Sequence, residues 1–97
     1  DLERGIQVSG TFQGTFPNPV QAGGNLIIRL YDPDRAGHTV HVFVLNPATG
    51  QSTSIPMVLD DDGVGGLKWV VPVDWDAPLL TLQSEDTTDL TVTVTEP

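Results

Sequence analysis

The sequence predicts an all-β domain, a seven-stranded antiparallel β-sandwich, and three observations predict it. Short runs of alternating apolar and polar residues recur along the 97 residues. Clusters of Gly, Pro, Asn and Asp separate these runs at roughly ten-residue spacing, the pattern of strands joined by turns. No window keeps a helical period without a Pro or Gly interrupting it. The clearest stretch is 26–46, where Leu26, Ile28 and Leu30 alternate with Ile27, Arg29 and Tyr31, and Val40, Val42 and Val44 alternate with His41, Phe43 and Leu45. Period two with β-branched and aromatic residues suits a pleated strand with one face buried. The turn-dense segment Asp32-Pro33-Asp34-Arg35-Ala36-Gly37 between the runs predicts that they form two antiparallel strands. Burying their six inward aliphatic side chains would contribute on the order of 10 kcal/mol, before chain entropy is subtracted.

The other elements follow in chain order. Residues 5–12 alternate weakly, with Ile6, Val8 and Phe12 on one side, and read as an edge strand. Residues 14–24 hold Pro17, Pro19, Gly23 and Gly24, a loop that crosses between sheets. After the two central strands, Asn46-Pro47-Ala48-Thr49-Gly50 is a turn, and residues 52–59 form a strand whose Pro56, lacking an amide hydrogen, favours an edge. Asp60-Asp61-Asp62-Gly63 ends it, with the glycines at 63, 65 and 66 read as hairpin glycines. Residues 64–71 place Leu67, Trp69 and Val71 on one face, residues 72–78 are a loop, and 79–83 form a strand. A polar turn over 84–88 leads to 89–95, where Leu90, Val92 and Val94 point in and Thr91, Thr93 and Thr95 point out. Seven strands in about a hundred residues fit an immunoglobulin-like sandwich better than a barrel or a propeller blade, although the Cys…Trp…Cys spacing of antibody domains is missing.

Length and composition bound the function. The chain reads as one domain over residues 1–97. Without cysteine it has no disulfide, no Cys-ligated zinc and no thiol nucleophile. Thirteen acids against four Lys and Arg give a net charge of −9, which argues against nucleic acid or anionic lipid as partner, because phosphate binding needs clustered cations. No apolar run approaches the roughly 18 residues of a membrane span, and no charged segment followed by an apolar core opens the sequence. The chain reads as a module of a larger protein.

The acids cluster once the loops are placed. Alternating strand directions send loops 32–37, 60–63 and 84–88 to one pole and loops 14–24, 46–50 and 72–78 to the other. The first pole receives Asp32, Asp34, Asp60, Asp61, Asp62, Glu85, Asp86 and Asp89 with Arg35 as the single nearby cation, whereas the second receives Asp74 and Asp76. Calcium takes six to eight oxygen ligands in flexible geometry, so Asp32, Asp34, Asp60, Asp61, Asp62 and Asp86 are the candidate metal ligands. Against this stands the ordinary role of Asp in turns and in solubility, favoured here because no spaced calcium motif is present. No other cofactor is expected. His38 and His41 lie three apart on one strand, on opposite faces, and complete no triad. Asp86-Thr87-Thr88 lacks the glycine and the second copy that an aspartic-protease site requires. No catalytic residue is assigned, and the protein is read as not an enzyme.

Two tryptophans remain. Trp69, in phase with Leu67 and Val71, is read as a core residue, and Trp75 in Pro72-Val73-Asp74-Trp75-Asp76-Ala77-Pro78 as a plug over the open end of the sandwich. The alternative for Trp75, beside two carboxylates, is a ring that stacks on sugar, together with Tyr31 or Phe43.

Four segments carry a resemblance: Pro19-Val20-Gln21-Ala22-Gly23-Gly24, Tyr31-Asp32-Pro33-Asp34-Arg35, Asn46-Pro47-Ala48-Thr49-Gly50, and Asp61-Asp62-Gly63-Val64-Gly65-Gly66 before a Trp-bearing strand. Together they make the chain similar to the repeated immunoglobulin-like modules of large bacterial surface and secreted proteins. The similarity covers most of the chain and rests on turn chemistry. It implies an extracellular or cell-surface stalk, spacer or adhesion role, with neighbouring domains of the same chain and a protein or glycan ligand as partners. It carries over no functional residue. The isolated domain is expected to be a monomer, and a carbohydrate-binding module is the alternative function.

Overall fold

The alternating runs fold as strands in the computed structural model, which describes residues 10–96. Those residues form β1 (Thr11–Phe16), β2 (Val20–Gln21), β3 (Asn25–Tyr31), β4 (Thr39–Leu45), β5 (Ser52–Val58), β6 (Val64–Val70), β7 (Leu79–Ser84) and β8 (Thr87–Thr95), with a single 3-10 turn at Pro33–Arg35. They make an all-β, sandwich-like domain of two sheets, a smaller one in the order β1-β3-β6 and a larger one in the order β2-β8-β7-β4-β5.

Alternation decides what is buried. Leu26, Ile28 and Leu30 of β3 and Val40, Val42 and Val44 of β4 all face the core, joined by Val20, Met57, Leu59, Val71, Leu80, Leu82, Val92 and Val94. The smaller sheet supplies one wall and the larger sheet the other, as in two sheets packed face to face. Leu67, Trp69, Trp75 and Leu90 pack against this core while remaining partly exposed.

The structure corrects the predicted plan in several places. β3 and β4 do not pair with each other: β3 lies between β1 and β6, and β4 between β7 and β5. The Pro33–Arg35 turn therefore carries the chain from one sheet to the other. Eight strands are present among the described residues where seven were expected, because Val20–Gln21 pairs with Val94 and Thr95 inside a stretch read as loop. That pairing is parallel, as is the bridge from Gly10 to Thr87, so the sheets are not purely antiparallel. The first described strand, Thr11–Phe16, runs past the expected end at Phe12 into residues read as loop, and residues 5–9 of that expectation lie outside the described residues. β7 and β8 extend into the expected turn and leave only Glu85 and Asp86 between them, with Asp86 at φ 53. Among the described residues Pro56 does sit on an edge strand, since β5 pairs there only with β4.

Gly65 and Gly66 are strand residues, not hairpin glycines, for β5 and β6 belong to different sheets. A Cβ on Gly65 would meet Leu59 Cδ2 and Met57 Sδ, each at 2.7 Å. The absent side chain thus lets Met57 of β5 and Leu59 just after it lie over β6 and close that flank of the core. Gly63 does occupy the turn, at φ 83.

Candidate functional site

The loops gather at two poles, as the strand directions require. At the first, Asp32 precedes Pro33, and proline holds it in extended backbone at φ −147 and ψ 91. Its amide donates to Gly63 O at 2.8 Å, and Gly37 N donates to Asp60 O at 2.9 Å, which ties the 32–38 and 59–63 loops together. Asp60 Oδ1 accepts the amides of Asp62 at 2.8 Å and Val64 at 3.0 Å, the self-bonding that favours Asp in turns.

Arg35 is the hub of this pole. Its Nη2 donates to Asp86 Oδ2, its Nη1 lies 3.4 Å from Glu85 Oε2, and its Nε lies 3.6 Å from Asp32 Oδ2. One guanidinium with several fixed donors bridges carboxylates from separate loops as an ammonium cannot. The hydrogen bond to Asp86 raises the Arg35 pKa above its usual value, and the charges of Asp86, Glu85 and Asp32 add to the effect, outweighing the opposing influence of desolvation. Asp32 is fully buried, and neither of its side-chain oxygens makes a hydrogen bond among the described residues. Arg35 is therefore the one described cation answering a carboxylate cut off from water.

The candidate calcium ligands are divided by this arrangement. Asp32 and Asp86 meet at Arg35, Asp60 is engaged in its own turn, and Asp34, Asp61 and Asp62 are exposed. Among the described residues no three His, Cys, Asp or Glu side chains are grouped so as to hold a metal ion. Asp89 belongs to β8, where its Oδ2 accepts from Gln83 Nε2 at 3.1 Å. His38 and His41 are both exposed, with His41 opposite the edge residue Pro56.

The second pole is built around Trp75. Its ring meets Trp69 edge to face, with centroids 6.2 Å apart and planes at 86°. Its Nε1 donates to Leu79 O at 3.2 Å. These contacts hold the indole half-buried against the core, and its remaining surface lines two clefts. One, of about 340 Å³, lies between the 46–51 turn and the 72–76 loop, with Asn46, Thr49, Gln51, Asp74 and Asp76 on its walls. The other, of about 410 Å³, lies toward the end of β8, with Asp76, Pro78, Thr95 and Glu96. Thr53, exposed and opposite Val44 on β4, lines the first of these clefts together with Val44.

Tyr31 and Phe43 do not join Trp75. Tyr31 ends β3 opposite Thr11 and Val64 at the acidic pole, and Phe43 stands mid-strand in the larger sheet opposite Ser54 and Gln83. What accompanies Trp75 instead is the Asn46–Gln51 turn, whose polar side chains read in the sequence only as turn chemistry. The signal that could have found them is the strand count itself, which sends the 46–50 and 72–78 loops to one pole. The chain matches no known family model, no curated protein and no solved structure.

Proposed function

We propose that this domain is a non-catalytic, immunoglobulin-like module of a larger bacterial extracytoplasmic protein, acting at the cell surface or outside the cell as a spacer or interaction domain between neighbouring modules of the same chain. The observation that carries the reading is the path of the chain. It enters β1 at Thr11, opposite Tyr31 at the acidic pole, and leaves β8 at Thr95, opposite Gln21 at the other pole, in a body of 42 × 29 × 19 Å. A module that hands the chain from pole to pole suits a head-to-tail array. The immunoglobulin-like assignment draws support from the crossing between sheets after β3 and from the larger sheet's order, in which the last two strands sit beside β4 and the short β2 joins in parallel.

The test is scattering from one module and from two joined in tandem. A single module is expected to be monomeric at micromolar concentration, and the tandem to be elongated, with each half melting as the single module does. A stable dimer of the single module, or a tandem that folds back on itself, would refute the array.

A further inference from the structure

We infer that the pole opposite the Arg35 cluster carries a binding site for a neutral oligosaccharide, built on Trp75 and the two clefts that it divides. The inference goes beyond the array reading, which scattering tests without reference to any ligand.

The site's chemistry selects the ligand class. Among the described residues no Lys or Arg lines either cleft, and Asp74, Asp76 and Glu96 put carboxylates on their walls. Phosphates, sulfates and uronic acids would meet unanswered negative charge there. Donors are present as well as acceptors. Asn46 Oδ1 accepts the Ala48 amide at 3.0 Å, which fixes the side-chain amide and leaves its Nδ2 to donate. Thr49 Oγ1 accepts from Gln51 N at 3.3 Å and keeps its own proton for donation. A cationic peptide could pair with the carboxylates and offer its carbonyls to the donors; a neutral sugar is favoured because each of its hydroxyls both donates and accepts, which suits walls that mix donors and acceptors beside an aromatic ring. The indole supplies the apolar surface on which the C–H face of a pyranose rests.

Size and order agree. The clefts, at about 340 and about 410 Å³, fall within the range of small-ligand sites, roughly 300–1,000 Å³. Trp75 and Asp76 line both, so they form a ridge that a chain of two or more sugar units would straddle. The platform is formed in advance. Trp75 is held by Trp69 and by Leu79 O, and the opposing wall is a turn closed by Thr49 N and Gly50 N donating to Asn46 O and by Asn46 N donating to Gln51 O. A site that needs no ordering on binding keeps more of its contact energy as affinity.

The experiment is a titration of the ¹⁵N-labelled protein with neutral hexasaccharides of glucose, xylose, mannose and N-acetylglucosamine, followed by amide and indole correlation spectra. The chain holds only two tryptophans, so the Trp75 indole signal is readily assigned. One of these sugars is expected to move that signal together with the amides of Asn46 to Gln51 and Asp74 to Asp76, saturably, while the Arg35 pole stays still. Gln51→Ala and Asp76→Ala, both at exposed positions, should weaken binding by about fivefold and about tenfold or more respectively with no change in melting temperature, the effects of removing a neutral and a charged hydrogen-bonding partner from a sugar hydroxyl. The inference is overturned if no neutral sugar moves these signals. It is equally overturned if an oligouronate or an oligolysine moves them and neutral sugars do not, or if both variants bind as tightly as the parent.

Discussion

Replacing Gly63 with Ala should be the most damaging small substitution in the turns of this domain, and its cost can be worked from the structure in two parts. The first is conformational. Gly63 sits at φ 83, and an L-residue in left-handed backbone costs about 1–2 kcal/mol. The second is steric. A Cβ at this position would lie 2.6 Å from Asp32 O, 2.7 Å from Pro33 Cα and 2.8 Å from Asp32 C, all backbone atoms that no rotamer change can move aside. Relief requires the Asp32–Pro33 segment to shift, which loosens the 2.8 Å bond from Asp32 N to Gly63 O and adds about 1 kcal/mol or more. The sum is about 3 kcal/mol, and at about 4–8 °C per kcal/mol for a domain of this size the melting temperature should fall by about 12–24 °C. Gly50→Ala isolates the first part, because Gly50 has a similar φ of 79 with nothing within 4 Å of the added carbon. Urea unfolding followed by tryptophan fluorescence, with calorimetry alongside, measures both variants. If Gly63→Ala costs no more than Gly50→Ala, the close approach of the two acidic-pole loops is refuted.

Two further predictions concern the same pole. Arg35→Met should destabilise the domain by leaving Asp32 buried without its described cation, and Asp32→Leu added to Arg35→Met should recover part of the loss; a double variant less stable than the single one in urea would refute the pairing. Because the Arg35 pKa is raised in the folded state, its contribution is fully present below the ordinary arginine range and is lost only as pH rises through the folded value, so the difference between wild type and Arg35→Met should stay constant from about pH 7 to about pH 11. Millimolar calcium should raise the melting temperature no further than sodium chloride of matched ionic strength, since Arg35 already binds the carboxylates that the loops bring together. A calcium-specific rise abolished by changing Asp61 and Asp62 to Asn would overturn that expectation.

The parts of this fold that were legible in the sequence are those set by a single strand's own alternation. Leu26, Ile28 and Leu30 are buried because period two sends them to one side, whatever sheet they belong to. Which strand pairs with which is a different kind of fact, since it depends on residues far away in sequence. Asp32-Pro33-Asp34-Arg35-Ala36-Gly37 has the turn chemistry of a hairpin and equally that of a crossing between sheets, and only the competition of β1 and β6 for the edges of β3 decides between them. β2 has just Val20 and Gln21, too few residues to show a period, and its parallel partner β8 follows at the far end of the chain. Gly65 and Gly66 imitate a turn because the reason for Gly65, the side chains of Met57 near the end of β5 and Leu59 just after it, comes from another stretch of the chain.

The same distinction separates the two poles. Eight acids around one arginine are visible in the sequence once strand directions are counted, and Arg35 does collect three of them. The Trp75 pole was half legible. Trp75 with its flanking Asp74 and Asp76 is contiguous in sequence, but the wall it faces is made by Asn46 and Gln51 from a turn that looked purely structural. The contrast has a physical consequence. At the acidic pole a cation is supplied by the chain itself, so its carboxylates are engaged in holding loops together. At the Trp75 pole no Lys or Arg among the described residues lines either cleft, so the polar groups there retain hydrogen-bonding capacity that the described fold does not use. Capacity left over beside a fixed aromatic ring is what a recognition surface requires, and it is the reason the proposed ligand site is put at the end where the last described strand finishes rather than at the end where the charge is concentrated.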